Sequence, residues 1–295
     1  MQYQNTFQQL EQPSQTFLSC HTYYGKANDV FPRHCHSYYE ISYIMEGRRF
    51  ETLNNDRYEV NDNTLIFIPP LTIHNLQNIS PVNDIVIQFS HKYLRNSSVL
   101  FDSRYVIKPP GKHIGIYKPD PSDDICRILK SIFDLCEVRK ISTEKNQLSL
   151  IDNVRIDFSL NSLCLQLISC MLKEGLLRIE ESSASYSDIE NFDLLFREIL
   201  ANISNPINMQ AACQIVGLSY SHFSRTFEKI TGYHYTYFCN LLRIRYAEEL
   251  LLSTSLSISE VAEAIGINTI SYFTRLFKQI NGITPSQYRR KYQAK

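Results

Sequence analysis

Tryptophan is absent from this 295-residue chain, and its 30 Lys and Arg are matched by 30 Asp and Glu. With no charge excess, a nucleic acid, membrane or acidic substrate has to be argued from a local patch. Long apolar runs are missing too. The longest, Leu65 to Ile73, is interrupted by Pro69 and Pro70 and falls far short of the ~20 residues a membrane helix needs. The Gln-rich start, Met1 to Gln15, has neither the basic flank nor the apolar stretch of a secretory signal. These absences point to a soluble, cytoplasmic protein with no membrane partner. None of the eight cysteines (Cys20, Cys35, Cys126, Cys136, Cys164, Cys170, Cys213, Cys239) forms a CxxC pair, which suits reduced, buried thiols. GxSxG, HExxH, Walker-type and GxGxxG patterns are likewise absent, so the commonest hydrolase and nucleotide chemistries have no carrier.

What is present divides in two. The chain is longer than one hydrophobic core usually supports. From about Thr16 to Ser90 short runs such as Tyr38 to Met45 and Thr64 to Ile68 alternate with turns at Glu46-Gly47, Asn54-Asn55-Asp56 and Asn61-Asp62-Asn63, predicting an antiparallel barrel or sandwich. The period then changes. Ile125, Ile128, Leu129, Ile132, Phe133 and Cys136 recur at helical steps after the capping candidate Ser122, and Val154, Phe158, Leu163, Leu167, Met171 and Leu172 do so between Ile151 and Glu174. Small polar residues from Glu181 to Ser187 read as a linker. The expected architecture is therefore α+β in two domains: a barrel with appended helices over 1–180, a linker over 181–187, and an all-α domain over 188–295. The last carries eleven Lys and Arg against nine Asp and Glu, a weak basic bias.

The all-α region is an internal repeat. Cys213, Gly217, Phe223, Arg225, Phe227 and Gly232 correspond to Ala262, Gly266, Phe273, Arg275, Phe277 and Gly282. Each copy has the three requirements of a helix-turn-helix: small residues where two helices cross, a glycine turn, and apolar anchors on the second helix. Ser219, and Asn268 or Thr269, can cap those second helices. With Phe223, Phe227, Phe273 and Phe277 turned inward, helical geometry turns outward Tyr220, Ser221, Ser224 and Arg225 in copy one, and Ile270, Ser271, Thr274 and Arg275 in copy two. Arg bonds guanine bidentately, Ser and Thr serve either base, and an Ile or Thr methyl meets the thymine methyl. For each arginine, phosphate contact or pairing with an acid such as Glu228 stays open.

Gly217-Leu218-Ser219, Phe223-Ser224-Arg225-x-Phe227, Arg243-Ile244-Arg245-x-Ala247-Glu248-x-Leu250-Leu251, Ile258 through Gly266, Ser271-Tyr272-Phe273-x-Arg275-x-Phe277-Lys278 and Gly282-Ile283-Thr284-Pro285-x-x-x-Arg289 resemble the C-terminal domain of the AraC/XylS transcription regulators over roughly residues 190–292. The resemblance implies two recognition helices, joined by a helix from Thr236 to Leu252, entering successive major-groove segments of double-stranded DNA. It further implies a small-molecule effector, a sugar being one class, a homodimer and contact with RNA polymerase. Cys213 stands where the family usually has Ala, and Ile267 where it has Phe.

His34-Cys35-His36-Ser37-Tyr38-Tyr39-Glu40 with Gly47, followed by Pro69, His74 and Asn78, resembles the two motifs of cupin barrels. Asn28, Asn63 and Leu71 take positions customarily glycine. In metal-binding cupins the equivalents of His34, His36, Glu40 and His74 hold one divalent ion, and three imidazoles with a carboxylate suit zinc, iron, manganese or nickel. Even spacing puts His34, His36 and Glu40 on one strand face. The four residues are read as contacts to an organic effector, as ligands of a divalent transition metal, or as structural hydrogen-bonding groups. The expected function is an effector-controlled, sequence-specific DNA-binding regulator rather than an enzyme. Alternatives are a cupin-type metal enzyme fused to a DNA-binding module, and an effector-free regulator with a filled barrel.

Overall fold

The computed structural model of the chain describes residues 17–34, 36–53, 56–102, 104–110, 115–144, 149–181 and 186–292. The Gln-rich start, Cys35, Asn54-Asn55 and most of the expected linker lie outside the described residues. The chain divides into two compact units, Met1–Ser187 and Asp188–Lys295.

Alternation with period two builds the first unit's strands: β1 (Leu18–Gly25), β2 (Val30–His34), β3 (Tyr39–Glu46), β4 (Arg48–Leu53), β5 (Asp56–Asn61), β6 (Thr64–Ile68), β7 (His74–Asn78) and β8 (Val82–Phe89). After α1 (His91–Ser97) come β9 (Tyr105–Lys108), β10 (Gly115–Tyr117), α2 (Asp124–Glu144), α3 (Leu150–Lys173) and β11 (Arg178–Glu181). One antiparallel sheet runs β1-β8-β3-β6-β10, a second β2-β7-β4-β5, and β11 pairs with β9. Residues directly opposite in a ladder share a face. Tyr39, Ile41 and Tyr43 thus lie on one side with Phe67, Ile85, Ile87 and Phe89, while Glu40, Ser42 and Ile44 lie on the other. The first side packs on Ile125, Leu129 and Ile132 of α2 and Leu160, Cys164, Leu167 and Met171 of α3. The other side meets the second sheet, where Ile44, Leu53, Val60, Ile66, Ile68 and Val82 form a smaller core.

The expected antiparallel barrel or sandwich is, among the described residues, a pair of sheets with no ladder joining them. Strand β3 turns into β4 of the other sheet at Gly47 (φ +108°), where a β-carbon would lie 2.2 Å from the Pro81 carbonyl oxygen. Ser122 does not cap α2: its hydroxyl donates to Asp120 Oδ1 at 2.7 Å, and the helix starts two residues later. On α3 the buried stripe is Ile156, Leu160, Cys164, Leu167 and Met171, whereas Val154 and Phe158 are 41% and 72% exposed. A further correction concerns the histidines, below. No helix among the described residues is long and apolar enough to cross a membrane.

The second unit is helical: α4 (Tyr186–Ala201), α5 (Met209–Val216), α6 (Tyr220–Thr231), α7 (Tyr235–Ser253), α8 (Ile258–Ala264), α9 (Ile270–Asn281) and α10 (Pro285–Tyr292). Left-handed glycines Gly217, Gly232 and Gly282 end α5, α6 and α9. Asn208 caps α5 by accepting from the Ala211 amide, and Ser257 with Glu260 makes a capping box on α8. These caps satisfy orphan amides that would otherwise fray short helices.

Candidate functional site

In the second unit, α5 with α6 and α8 with α9 form the two helix pairs. Ala212, Cys213 and Val216 of α5, and Val261 and Ala262 of α8, are buried at the crossings. Phe223, Phe227, Phe273 and Phe277 are fully buried. From 221–230 to 271–280 the order of exposed, half-buried and buried positions repeats residue for residue, so the two helices offer equivalent faces. Tyr220, Ser221 and Arg225 are exposed with Ser224 half-buried, and Ile270, Ser271 and Arg275 are exposed with Thr274 half-buried. Ser219 and Thr269 occupy the N-cap positions, yet neither side chain makes a capping hydrogen bond.

Pattern reading missed the support beneath α6. Phe192 of α4 stacks within 5.5 Å of the Phe223 ring, and Phe196 within 5.7 Å of Phe227. The signal was two aromatics four residues apart on a helix. Three arginines of the family motif are absorbed by the scaffold: Arg243 Nε donates to the Ile203 carbonyl at 3.2 Å, Arg289 Nε to the Leu251 carbonyl at 3.1 Å, and Arg245 Nη1 to Asn281 Oδ1 at 2.9 Å. Holding α7 and α10 in place this way fixes the spacing of the two outward faces.

In the first unit His34, His36 and His74 come together, with a ring nitrogen from each lying within 4.8 Å of the others. They do so by a route that strand parity did not foresee. His34 ends β2 and pairs with His74 of β7 in one sheet, while Glu40 lies on β3 in the other; the chain crosses between sheets at residues 36–38. Tyr38, two residues from His36, is buried as well, 6% exposed, and stacks on His36 with ring centroids 3.8 Å apart. Among the described residues, the positive-φ residues other than glycine are Asn28, Asn63 and Leu71, at +68°, +60° and +62°, the three standing at customary glycine positions. A leucine there costs about 1–2 kcal/mol. Its amide donates to the His36 carbonyl at 2.7 Å, tying the turn before β7 to the segment carrying His36.

The tautomers follow from the partners. His36 Nδ1 lies 2.9 Å from the Tyr38 carbonyl oxygen and His74 Nδ1 2.9 Å from that of Thr72. A carbonyl oxygen only accepts, so each Nδ1 carries a proton, and in the neutral ring the lone pair is left on Nε2. Both Nε2 atoms are buried without a hydrogen-bond partner among the described residues. The Glu40 carboxylate lies 3.4 Å from the first and 4.0 Å from the second, and accepts from Gln88 Nε2 at 2.8 Å. Burial lowers the His74 pKa well below the ordinary value, and His34 and His36 add to this. For Glu40 burial acts upward, but His36, His74 and Gln88 outweigh it and hold the carboxyl well below the usual range. In their neutral form such rings, oriented through Nδ1 by backbone carbonyls with Nε2 beside a carboxylate, are the donor set of a divalent transition metal. The residues fit that group.

Deeper between the sheets lies a charge cluster. Arg49, 1% exposed, donates from Nη2 to Ser42 Oγ at 2.7 Å and from Nη1 to Asp84, with Glu51 Oε2 2.9 Å from its Nε. Burial pushes the Glu51 carboxyl up to about 7, against the pull of Arg49.

The sequence profile of the AraC-like ligand binding domain matches residues 17–150, and that of a helix-turn-helix domain matches 212–291. The transcriptional activator RhaR of Pectobacterium carotovorum subsp. carotovorum (strain PC1) is 23% identical over 264 residues, covering 89% of this chain and 87% of RhaR. The uncharacterized HTH-type transcriptional regulator YfiF of Bacillus subtilis (strain 168) is 24% identical over 266 residues, covering 88% and 79%. The crystal structure of ToxT from Vibrio cholerae O395 overlaps with a TM-score of 0.44 at 18% identity, covering 92% of this chain and 97% of that one.

Proposed function

This chain belongs to the AraC family of transcription regulators, DNA-binding proteins under the control of a small-molecule effector, and from that premise we propose which residues do each task. The outward residues of α6 (Tyr220, Ser221, Ser224, Arg225) and of α9 (Ile270, Ser271, Thr274, Arg275) face duplex DNA, and His34, His36, Glu40 and His74 receive the effector. The observation that carries the first assignment is the residue-for-residue repeat of exposure between the two helices. For the second it is the pair of buried Nε2 atoms without a hydrogen-bond partner among the described residues, which an incoming ligand group would satisfy. The domain limits are 1–180 for effector binding and dimerisation, 181–187 for the linker and 188–295 for DNA binding. A second copy associates through the apolar surface of α2 and α3, and RNA polymerase is the further partner in the cytoplasm.

A divalent transition metal as part of the effector site is a second reading, favoured by the two carbonyl-anchored Nδ1 atoms. His34, His36, His74 and Glu40 would hold it, and it would supply Lewis acidity toward an oxygen or nitrogen of the effector. No turnover is assigned. The N-terminal match is to a ligand-binding domain, so a metal enzyme fused to a DNA-binding module loses its main support.

Sequencing of genomic DNA bound by the full chain, with and without a panel of sugars and divalent metals, tests the reading. Enrichment of a few loci that shifts on adding one compound is the expected result. Uniform, compound-independent recovery would remove it.

A further inference from the structure

Between the first half of α7 and α9 runs a surface groove to which α7 contributes Thr236, Tyr237 and Asn240, and α9 contributes Tyr272, Arg275 and Gln279. Each of the six carries an N–H or O–H donor, and none is a carboxylate. Leu276 lies among them, and His234 at the α7 end pairs with Glu228 at 3.3 Å. The guanidinium of Arg275 lies over the Tyr272 ring, 5.6 Å from its centroid, and Asn240 Nδ2 approaches the Tyr272 hydroxyl at 3.4 Å. Arg225, the counterpart of Arg275 on α6, has no hydrogen-bond or ion-pair partner among the described residues.

We infer that this groove seats a phosphodiester of the DNA backbone, with Arg275 as its cationic contact, while Arg225 is left to read bases. Donors converging from two helices, one of them cationic and none of them acidic, complement an anion. α7 joins the two recognition helices, so the strand passing between their major-groove segments runs along its face. The inference rests on the DNA-binding assignment above and divides its two arginines.

The test uses the full-length protein, its best genomic fragment and a scrambled duplex of equal length. Arg275→Ala is expected to weaken both duplexes alike, by about tenfold, and to reduce the salt slope by about one. Gln279→Glu keeps the size but adds an anion, and should weaken both more at low salt than at high. Tyr237→Phe removes one donor and should cost both duplexes the same smaller factor. All three side chains are exposed, and an unchanged thermal transition verifies the fold. If Arg275→Ala instead relaxes preference at one base pair with its slope intact, or if all three variants bind as the parent does, the phosphate seat is wrong. A parent protein that does not distinguish its fragment from the scrambled duplex would overturn the DNA-binding assignment itself, before any variant is compared.

Discussion

A β-carbon on Gly266 would lie 1.7 Å from the carbonyl oxygen of Ser204, whereas one on Gly217, the equivalent turn of the first helix pair, would meet nothing within 4 Å. Both glycines are left-handed, at +71° and +72°, so each substitution carries the same backbone cost of about 1–2 kcal/mol. Only Gly266→Ala must also displace a backbone. Gly217→Ala should cost about 1 kcal/mol in chemical unfolding and Gly266→Ala about 3 kcal/mol or more. Equal losses would mean that the Ser204 segment yields freely.

Phe223→Ala and Phe277→Ala should each destabilise the helical unit by about 3–5 kcal/mol, since both rings are fully buried among other aromatics. DNA binding would be lost through unfolding, visible in the thermal transition. Arg225→Ala should leave that transition intact and cost about 1–3 kcal/mol at the specific site only. An Arg225→Ala protein with undiminished discrimination would show that α6 meets DNA through another face.

Glu51 gives a pH dependence of definite sign. Its folded pKa, about 7, lies above the ordinary 4.5, so between those values the folded form keeps a proton that the unfolded chain has released. The contribution is fully present below pH 4.5 and is lost as pH rises through 7. Over that window the parent should lose about 3 kcal/mol relative to Glu51→Gln. Parallel stability curves for the two proteins would show that Arg49 keeps Glu51 ionised throughout.

If the histidine set holds a metal, protein purified without tag or chelator should contain close to one equivalent of a transition metal by elemental analysis. His74→Ala should lose most of it, since removing one of few ligands leaves no closed coordination set. A metal content of a few per cent or less in the parent would leave the site to an organic effector.

The apolar surface of α3, with Leu150, Ile151 and Phe158 at 80%, 72% and 72% exposed, should make the full chain associate with concentration. Phe158→Lys should weaken that association in sedimentation without moving the thermal transition. Monomer alone at every concentration, with and without effector, would remove the dimer.

The fold class, the duplicated helix pairs and the four phenylalanine anchors were legible in the sequence because each is written in local periodicity: period two before Pro121, period 3.6 after it, and an internal repeat with glycines at corresponding places. The outward positions of α6 and α9 followed from the same helical geometry. The histidines were legible as a group, although the reason offered for their meeting, a shared strand face, was not how they meet.

What local pattern could not determine was where the chain changes sheet. Parity holds only while a strand continues, and the crossing between His34 and Tyr39 breaks it, which sets His74 and Glu40 opposite each other from different sheets. The buried stripe on α3 was equally a tertiary matter, because amphipathic periodicity specifies a stripe but not which of two apolar stripes meets the sheet, whereas the stripe named on α2 is the one that packs. The two glycine turns show the division most directly: the sequence by itself determined that both Gly217 and Gly266 sit in left-handed turns, through their place in the repeat. Only the tertiary structure decided that one faces open space and the other the backbone at Ser204, because that contact joins residues 62 apart and no local pattern encodes it.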